Sequence, residues 1–387
     1  MLKIKNFSIR SGRTVNYFGI ESIANIESII SNMRRAYIVT SRSAAKISGA
    51  LNDVKTILDK YKVAYKVYDR VLPNPTKEIV EEVSMNIWRF KADGVIAIGG
   101  GSVIDTAKIS SVIAECGGVV EDYIADPQRF CGSIPVIAIN LTHGTGSEVN
   151  RYAVVTIDQP KTKIGLASDY MYPVISVDDP RYLVTLPARQ TVYTALDAFY
   201  HAVESACSRN SSPYIVTIAE EAVRIIVEWL PKVVNNLSDL NGRAWLLYAS
   251  MLAGIAIDNS RAHLIHAIEN VISGLNTDLA HGAGLAMLGP AAIPYLYVNE
   301  YENLYRLLRH LEPSIQPTPS DNIKAGEAVK RFQQLVGFNE RLSSYGFTIN
   351  DVDRIIDTIE KALSYALRLA PIDISKEIIR DIYLKAL

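Results

Sequence analysis

Hydrophobic positions in the first half of the chain form short β-branched runs, which alternate with longer segments of helical periodicity. The predicted strands are 36–39, 64–68, 95–98, 136–139 and 174–177, and the predicted helices are 44–61, 78–90 and 103–115. Segments of that length can cross over a sheet and return the chain in the same direction. The alternation therefore predicts βαβ units around a mostly parallel sheet, with a hairpin over residues 152–167 beside it.

After Pro187 the pattern changes, because nearly every remaining segment has helical periodicity. Helices are predicted over 188–208, 212–236, 243–273, 282–296, 300–311, 323–337, 349–369 and 374–386. A chain of 387 residues also exceeds the length at which a single core usually stops growing. We therefore expect an α/β domain over residues 1–183 and an all-helical domain over residues 184–387.

Composition excludes several classes of protein. The net charge of −1, without long blocks of one sign, gives no electrostatic reason to bind nucleic acid or an anionic membrane. No stretch reaches the roughly 20 apolar residues that span a bilayer, and residues 1–10 lack the apolar core of a signal peptide. The cysteines, Cys116, Cys131 and Cys207, are odd in number and lack CxxC spacing, which argues against disulfides and thiolate metal ligands. We expect a cytoplasmic protein with a small, neutral or weakly charged ligand.

Two glycine-rich loops follow predicted strands, GGGSVIDTAK at 99–108 and THGTGSE at 142–148. Glycines let a backbone approach a ligand closely, and the N-terminus of a following helix attracts phosphate. In open α/β sheets the loops at the carboxyl ends of neighbouring strands form a binding crevice. The two loops are therefore predicted to hold a dinucleotide, although the first is not the GxGxxG fingerprint. The alternatives are a plain tight turn for the first loop and a solvated polar turn for the second.

Residues after the first predicted strand bear on which dinucleotide binds. An acidic side chain in this region commonly accepts from the ribose 2′-OH of NAD, whereas arginine accommodates the 2′-phosphate of NADP. Here Ser41 and Arg42 follow the strand. The sequence therefore favours NADP over NAD, and a merely solvated Arg42 is the alternative.

The second half contains a candidate metal site. Asp197 and His201 are four residues apart on a predicted helix and so share one face, and His266 and His281 follow within eighty residues. Carboxylate and imidazole ligands suit Fe²⁺ or Zn²⁺. His263 competes with His266, because it lies three residues earlier and could share its helix face.

Four motifs in order resemble the iron-containing (group III) alcohol dehydrogenase family. They are GGGSxxDxxK at 99–108, THGTGSE at 142–148, DAxxHAxE at 197–204 and HAIEN…HGAGLAML at 266–288. The resemblance extends over essentially the whole chain. It implies the two-domain architecture shared with dehydroquinate synthase: an N-terminal Rossmann-like NAD(P)-binding domain and an all-helical domain that binds metal and substrate. The implied ligands of one Fe²⁺ or Zn²⁺ ion are Asp197, His201, His266 and His281.

The resemblance also implies a set of cofactor contacts. These are Asn74, Gly101, Ser102, Asp105, Thr142, Thr145, Asn150 and Lys163. Gly99 and Gly100 are predicted as contacts because they belong to the first glycine-rich loop. Three positions depart from the family pattern. Ser41 replaces a frequent aspartate, which supports NADP, and His143 replaces a residue that is often small. Asn270 replaces a frequent histidine, so a proton relay is open, with His263 and Asn270 as candidates.

The expected function is reversible hydride transfer between an alcohol and its aldehyde or ketone, with the substrate oxygen on the metal and a nicotinamide as partner. The expected assembly is a homodimer. The alternatives are a polyol or glycerol (phosphate) dehydrogenase, a dehydroquinate synthase-like lyase and an inactive nucleotide-binding protein. The lyase is disfavoured because the first ligand position is Asp197 rather than glutamate. The inactive protein is disfavoured because all four ligand types are present.

Overall fold

A six-stranded parallel sheet forms the centre of the N-terminal half in the computed structural model, which describes residues 12–387. The strands are β1 Val15–Phe18, β2 Arg35–Thr40, β3 Ala64–Tyr68, β4 Gly94–Gly99, β5 Val136–Asn140, β6 Tyr152–Asp158, β7 Lys161–Ala167 and β8 Ile175–Asp178. The sheet order is β1-β8-β5-β4-β2-β3, and β6 and β7 form a separate antiparallel hairpin. Strands β4 and β5 are buried at every position, as expected for a parallel sheet covered on both faces.

Helices cover the sheet and make up most of the second half. Those of the first half are α1 Glu27–Ile30, α2 Ala44–Ile47, α3 Ala50–Lys60, α4 Lys77–Phe90, α5 Gly101–Cys116 and α6 Val120–Ala125. Those of the second half are α7 Ala188–Cys207, α8 Pro213–Asn235, α9 Leu240–Ser260, α10 Leu264–Leu275, α11 His281–Leu308, α12 Asn322–Leu335, α13 Val352–Thr358, α14 Ser364–Leu367 and α15 Lys376–Ala386. A π-helical turn, Ile359–Leu363, joins α13 to α14.

The predicted fold class, an α/β half followed by a helical half, is confirmed. All five predicted strands and the hairpin are present within two residues of their predicted ends. The short elements β1 and α6 were not predicted, because elements of four and six residues carry too little periodicity. The domain boundary between residues 183 and 184 stays a prediction, and it falls between β8 and α7.

Three predicted helix boundaries are wrong, each for a local backbone reason. The helix over 44–61 is interrupted at Gly49, where φ is 86°. The helix over 243–273 is divided by Arg261, where φ is 67° and a helix cannot continue. The helices over 282–296 and 300–311 are joined in α11, which bends at Glu300.

The expectation of no disulfide is also wrong, because Cys116 and Cys131 are bonded to each other. Cys116 ends α5, and the chain returns past α6 so that the two Cα atoms lie 5.9 Å apart, within bridging range. The third cysteine, Cys207, is free and buried. An odd count thus excluded nothing, since two of the three could pair.

Helix α7 lies at the centre of the helical half and packs against α8, α9 and α11. From Thr191 to Cys207 nearly all of its side chains are buried. The polar residues that it carries are therefore held in the interior. In the described part of the chain, no helix combines the length and hydrophobicity required to cross a membrane. The segment 1–10, for which no signal peptide is expected, lies outside the described residues.

Candidate metal centre and cofactor cleft

Four side chains from three helices converge on one point. Asp197 and His201 come from α7, His266 from α10, and His281 is the first residue of α11. Each offers one potential ligand atom, and these atoms all lie within 4.8 Å of one another. Asp197 Oδ1 lies 3.5 Å from His201 Nδ1, 3.8 Å from His266 Nε2 and 3.6 Å from His281 Nε2. The structure thus brings together the four side chains that the sequence selected.

Two atoms at this point lack hydrogen-bond partners. Asp197 Oδ1 and His266 Nε2 are both buried, and neither has a partner within residues 12–387. Buried polar atoms without partners are costly, so their presence calls for an explanation. A divalent cation would satisfy both atoms at once. One carboxylate with three imidazoles is also a donor set that suits Fe²⁺ or Zn²⁺, so the residues fit such an ion.

Electrostatics within the cluster distinguish its members. Burial alone would raise the pKa of Asp197, but the neighbouring imidazoles His201 and His281 lower it below its ordinary value. Burial lowers the pKa of His201 to about 4, which keeps this ring neutral. For His266, burial also acts to lower the pKa, but the neighbouring carboxylates of Asp197 and Glu204 raise it to about 9. The carboxylate is therefore ionised and at least one imidazole is available as a ligand at neutral pH.

Sequence analysis missed two carboxylates that lie behind the histidines. The Nδ1 atom of His266 donates to Glu204 Oε2, and that of His281 donates to Glu269 Oε2. Both glutamates are fully buried. A carboxylate on the far nitrogen fixes the orientation of a metal-ligating imidazole and raises its basicity. The sequence contained a signal that could have identified Glu204, because positions 197, 201 and 204 share one face of α7.

A cavity of about 650 Å³ contains the metal cluster and most of the predicted cofactor residues. It is lined by three of the four candidate ligand residues, His201, His266 and His281. The predicted cofactor contacts that line it are Asn74, Gly101, Ser102, Asp105, Thr145, Asn150 and Lys163. Asn270 lines it as well. A nucleotide in this cavity would therefore reach the metal cluster.

The two glycine-rich loops pack directly on each other. A β-carbon at Gly100 would lie 2.7 Å from Cγ2 of Thr142, and one at Gly101 would lie 2.4 Å from Cγ2 of Thr145. Any side chain at either glycine would force the loops apart. Because α5 begins at Gly101, its free N-terminal amides lie at this junction, where they can bind an anion.

Lys163 connects the hairpin to the metal cluster. Its Nζ atom lies 3.1 Å from Nδ1 of His281, 3.2 Å from Oε2 of Glu269 and 3.3 Å from Oδ1 of Asn74. Asp105 ties the same hairpin to α5, because its Oδ2 atom accepts from the Val154 amide at 2.9 Å. These polar contacts fix the wall of the cavity next to His281.

Other predicted residues lie away from the cavity wall. Ser41 and Arg42 follow β2, where Arg42 is exposed. Gly99, Gly100 and Thr142 belong to the glycine-rich loops but do not line the cavity. His263 is fully buried at the start of α10 and does not line the cavity. Its Nδ1 atom accepts from the Leu264 amide, and its Nε2 atom donates to the Glu204 carbonyl. The structure therefore does not bring His263 to the reaction space.

His143, a departure from the family pattern, also turns away from the cavity. It is fully buried, with Nδ1 3.1 Å from Thr194 Oγ1 and Nε2 3.4 Å from Arg243 Nη1. Burial, together with the charge of Arg243, lowers its pKa to about 3. His143 is thus a neutral, buried residue that packs the loop 142–148 against α7 and α9.

Curated relatives match nearly the whole chain. A long-chain primary alcohol dehydrogenase, AdhA, of Thermoanaerobacter ethanolicus is 37% identical, with 98% of this chain and 97% of the relative covered. A 1,3-propanediol dehydrogenase of Klebsiella pneumoniae is 29% identical, with 86% and 87% covered.

Solved structures share the fold over its full length. An archaeal halo-thermophilic alcohol dehydrogenase, ADH/D1, from a Red Sea brine pool superposes with a TM-score of 0.93 at 26% identity, covering 100% of both chains. The NADH-dependent butanol dehydrogenase A of Thermotoga maritima has a TM-score of 0.90 at 29% identity, covering 99% of both. Two family models, "Iron-containing alcohol dehydrogenase" and "Fe-containing alcohol dehydrogenase family, C-terminal", match residues 14–180 and 191–387. With this metal cluster and cleft, the chain belongs to the iron-containing alcohol dehydrogenase family.

Proposed function

We propose that the chain catalyses reversible hydride transfer between an alcohol and its aldehyde or ketone, with NADP as cofactor and one Fe²⁺ or Zn²⁺ ion. Membership of the family supports the reaction class, a nicotinamide cofactor and a divalent metal. The observation that carries the proposal is the convergence of four potential ligand atoms within 4.8 Å, on the cavity that the glycine-rich loop also lines.

In this proposal Asp197, His201, His266 and His281 hold the metal ion. When bound, such an ion supplies Lewis-acid polarisation of a carbonyl or hydroxyl oxygen. The chain's own part is to fix the ligands. Through their carboxylates, Glu204 and Glu269 hold two of the imidazole rings with Nε2 towards Asp197.

The N-terminus of α5 and the loop that packs on it would bind the pyrophosphate of the cofactor. Ser102 and Thr145 line the cavity beside that terminus. Asn150 and Lys163 line it as well, and Lys163 lies next to His281, so they would flank the nicotinamide. This arrangement would place the hydride-carrying ring beside the metal cluster, which is what direct transfer requires.

We favour NADP over NAD because of the residues that follow β2. Arg42 is exposed there, and residue 41 is a serine, which offers no carboxylate to a ribose 2′-OH. Asp69, an acid near Arg42, already forms an ion pair with Lys46 at 2.9 Å. An arginine fork binds a phosphate through paired charge-assisted hydrogen bonds.

The proton of the alcohol would reach solvent through water or a hydroxyl group. Asn270 lines the cavity and could orient that water, whereas His263 is enclosed by protein. The proposal therefore retains Asn270 as the candidate for the relay and assigns His263 to the packing of α10 against α7.

The cavity favours substrates with an apolar body. Ile257, Phe130 and Leu363 line it, with several alanines. AdhA of Thermoanaerobacter ethanolicus is named for long-chain primary alcohols, which agrees with such a wall. We therefore propose aliphatic primary alcohols and their aldehydes as substrates, ahead of polyols and polyol phosphates.

We also propose a homodimer in the cytoplasm. Among the described strands, β1 lies at one edge of the sheet, and Val15 and Phe18 on it are 52% and 41% exposed. Exposed apolar residues on a strand edge favour pairing with a second copy. A disulfide is unusual in a reducing cytoplasm, but it is found in intracellular proteins of hyperthermophiles. Light scattering tests whether the protein is a dimer. A thiol count on protein from its native source tests whether the disulfide forms there.

The experiment that tests the function is a panel of alcohols and aldehydes assayed with NADPH and NADH. The protein is loaded separately with Fe²⁺ and Zn²⁺, and cofactor consumption is followed by absorbance. We expect stoichiometric oxidation of NADPH with aliphatic aldehydes only when a metal is present. Absence of turnover with every aldehyde in both metal forms would contradict the proposal.

A further inference from the structure

Arg261 occupies an unusual position in the cavity. It lies between α9 and α10, five residues before His266, and lines the same cavity as the metal cluster. Its backbone has φ 67° and ψ 154°, a conformation that non-glycine residues rarely adopt. Strained conformations of this kind persist where the surrounding structure enforces them, and they concentrate at functional sites.

The guanidinium of Arg261 is held in place without being neutralised. Its Nε atom donates to the hydroxyl of Tyr152 at 3.0 Å, and its Cζ atom lies 5.6 Å from the centre of that ring. Within residues 12–387 no carboxylate lies within 4.0 Å of it, and its terminal nitrogens have no hydrogen-bond partner. The outer fork of the side chain is therefore free to bind an anion.

The other charged residues on the cavity wall are already paired. Lys163 lies 3.2 Å from Glu269, and Asp105 accepts from Ser147 and from a backbone amide. Apolar residues near Arg261 in the chain, Ile257 and Ala262, line the same cavity. A positive charge in such surroundings binds an anion more strongly than it would in water.

We propose that Arg261 is a specificity residue that binds a carboxylate at the far end of the substrate. The substrates would then be ω-hydroxy acids and the corresponding ω-oxo acids, with an apolar chain between the two ends. This inference rests on the proposed dehydrogenase function. The guanidinium fork matches a carboxylate through two parallel hydrogen bonds. The apolar wall accommodates the methylene groups.

An anion in this cavity has a second possible source, the cofactor pyrophosphate. The experiment therefore measures the kinetics of the carbonyl substrate and those of the cofactor separately. Holoenzyme is assayed with ω-oxo acids of four to six carbons and with butanal, pentanal and hexanal, at saturating cofactor and then with cofactor varied. The variant is Arg261→Asn, because asparagine is polar but has neither the positive charge nor the guanidinium fork of arginine. The matched control is Arg151→Asn, because Arg151 lies 5.7 Å from the centre of the same Tyr152 ring but does not line the cavity.

We expect wild-type enzyme to prefer each oxo acid over the aldehyde of equal length by about 10-fold or more in kcat/KM, as a charge-assisted hydrogen bond provides. Arg261→Asn should lower kcat/KM for the oxo acids by about 10- to 100-fold, through KM, and leave the aldehydes nearly unchanged. Arg151→Asn should keep the preference. Binding of 5-hydroxypentanoate without cofactor, measured by calorimetry, should weaken in Arg261→Asn by a similar factor, whereas binding of pentanol should not.

Four outcomes would overturn the inference. Three of them concern the substrates: the absence of any preference in wild-type enzyme, equal losses for both substrate series, and unchanged binding of 5-hydroxypentanoate. A higher KM for the cofactor with unchanged selectivity would also overturn it, and would assign Arg261 to the pyrophosphate. Turnover of aldehydes without a preference for oxo acids would contradict this inference but not the proposed function. Turnover of neither series by the metal-loaded enzyme defeats the proposed function itself.

Discussion

Replacing Glu204 by glutamine tests whether the buried carboxylates shape the metal site. Glu204 is fully buried, and its Oε2 atom accepts from Nδ1 of His266. Its Oε1 atom accepts from the Ile265 amide at 2.7 Å, which a glutamine oxygen can still do. The substitution therefore removes the charge behind His266 while leaving the Ile265 amide with its acceptor. Loss of such an outer partner typically weakens metal affinity by about 10- to 100-fold, or about 1.4 to 2.7 kcal/mol.

The assay is competition for Zn²⁺ with a chromophoric chelator of known affinity, at constant pH. The matched control is Glu220→Gln, which removes a partly buried carboxylate on α8 that pairs with Arg306 and Arg309 and is not one of the candidate metal-site residues. We expect weaker metal binding in Glu204→Gln and wild-type affinity in Glu220→Gln. Equal Zn²⁺ affinity in Glu204→Gln and wild-type protein would refute the assignment of Glu204 as the residue that positions His266.

Three further predictions concern the fold and the cofactor. Replacing Cys116 and Cys131 together by serine should lower the free energy of unfolding by about 3 kcal/mol, the value for a closed loop of 15 residues; denaturant titration without reductant measures it. Arg42→Ala should raise KM for NADPH by about 10-fold, the worth of a charge-assisted contact, and leave KM for NADH unchanged in initial-rate assays. Both carboxyl oxygens of Glu148 are buried without hydrogen-bond partners within the described chain. Burial raises the pKa of Glu148 well above its ordinary value and that of Asp178 to about 6. The folded state thus holds these protons more tightly than the unfolded state, so stability should fall as pH rises through about 6. Glu148→Gln should flatten that dependence in denaturant titrations at several pH values.

Each of these predictions has a result that would contradict it. Wild-type stability in the double serine variant would show that the Cys116–Cys131 bond constrains little. An equal rise in KM for both cofactors would place Arg42 away from the 2′-phosphate. A pH dependence in Glu148→Gln as steep as in wild-type protein would assign the proton uptake to other groups.

The strands and the candidate ligand pair on α7 were predictable because each rests on local sequence. Buried parallel strands are short apolar runs, and the carboxyl ends of β4 and β5 carry the glycine-rich loops. The pair Asp197 and His201 is fixed by the pitch of one helix. The scarcity of histidine in the chain drew attention to His263, His266 and His281, and the family resemblance favoured His266 and His281 as the remaining ligands.

What the sequence did not reveal depends on contacts between distant segments. Glu269 contacts His281 only because α10 and α11 pack side by side. The pairing of Cys116 with Cys131 depends on the return of the chain past α6. The break at Arg261 opposes a helical periodicity that continues on both sides, so the periodicity alone predicted one helix. In each case tertiary packing decides an outcome that local propensity leaves open or opposes.

The most direct test of the central claim is anomalous diffraction from crystals of the Fe²⁺- or Zn²⁺-loaded protein, recorded on both sides of the metal absorption edge. We expect a single strong peak within ligand distance, roughly 2.0–2.2 Å, of one atom each from Asp197, His201, His266 and His281. A peak bound elsewhere, or no peak between these side chains in protein that contains metal, would contradict it.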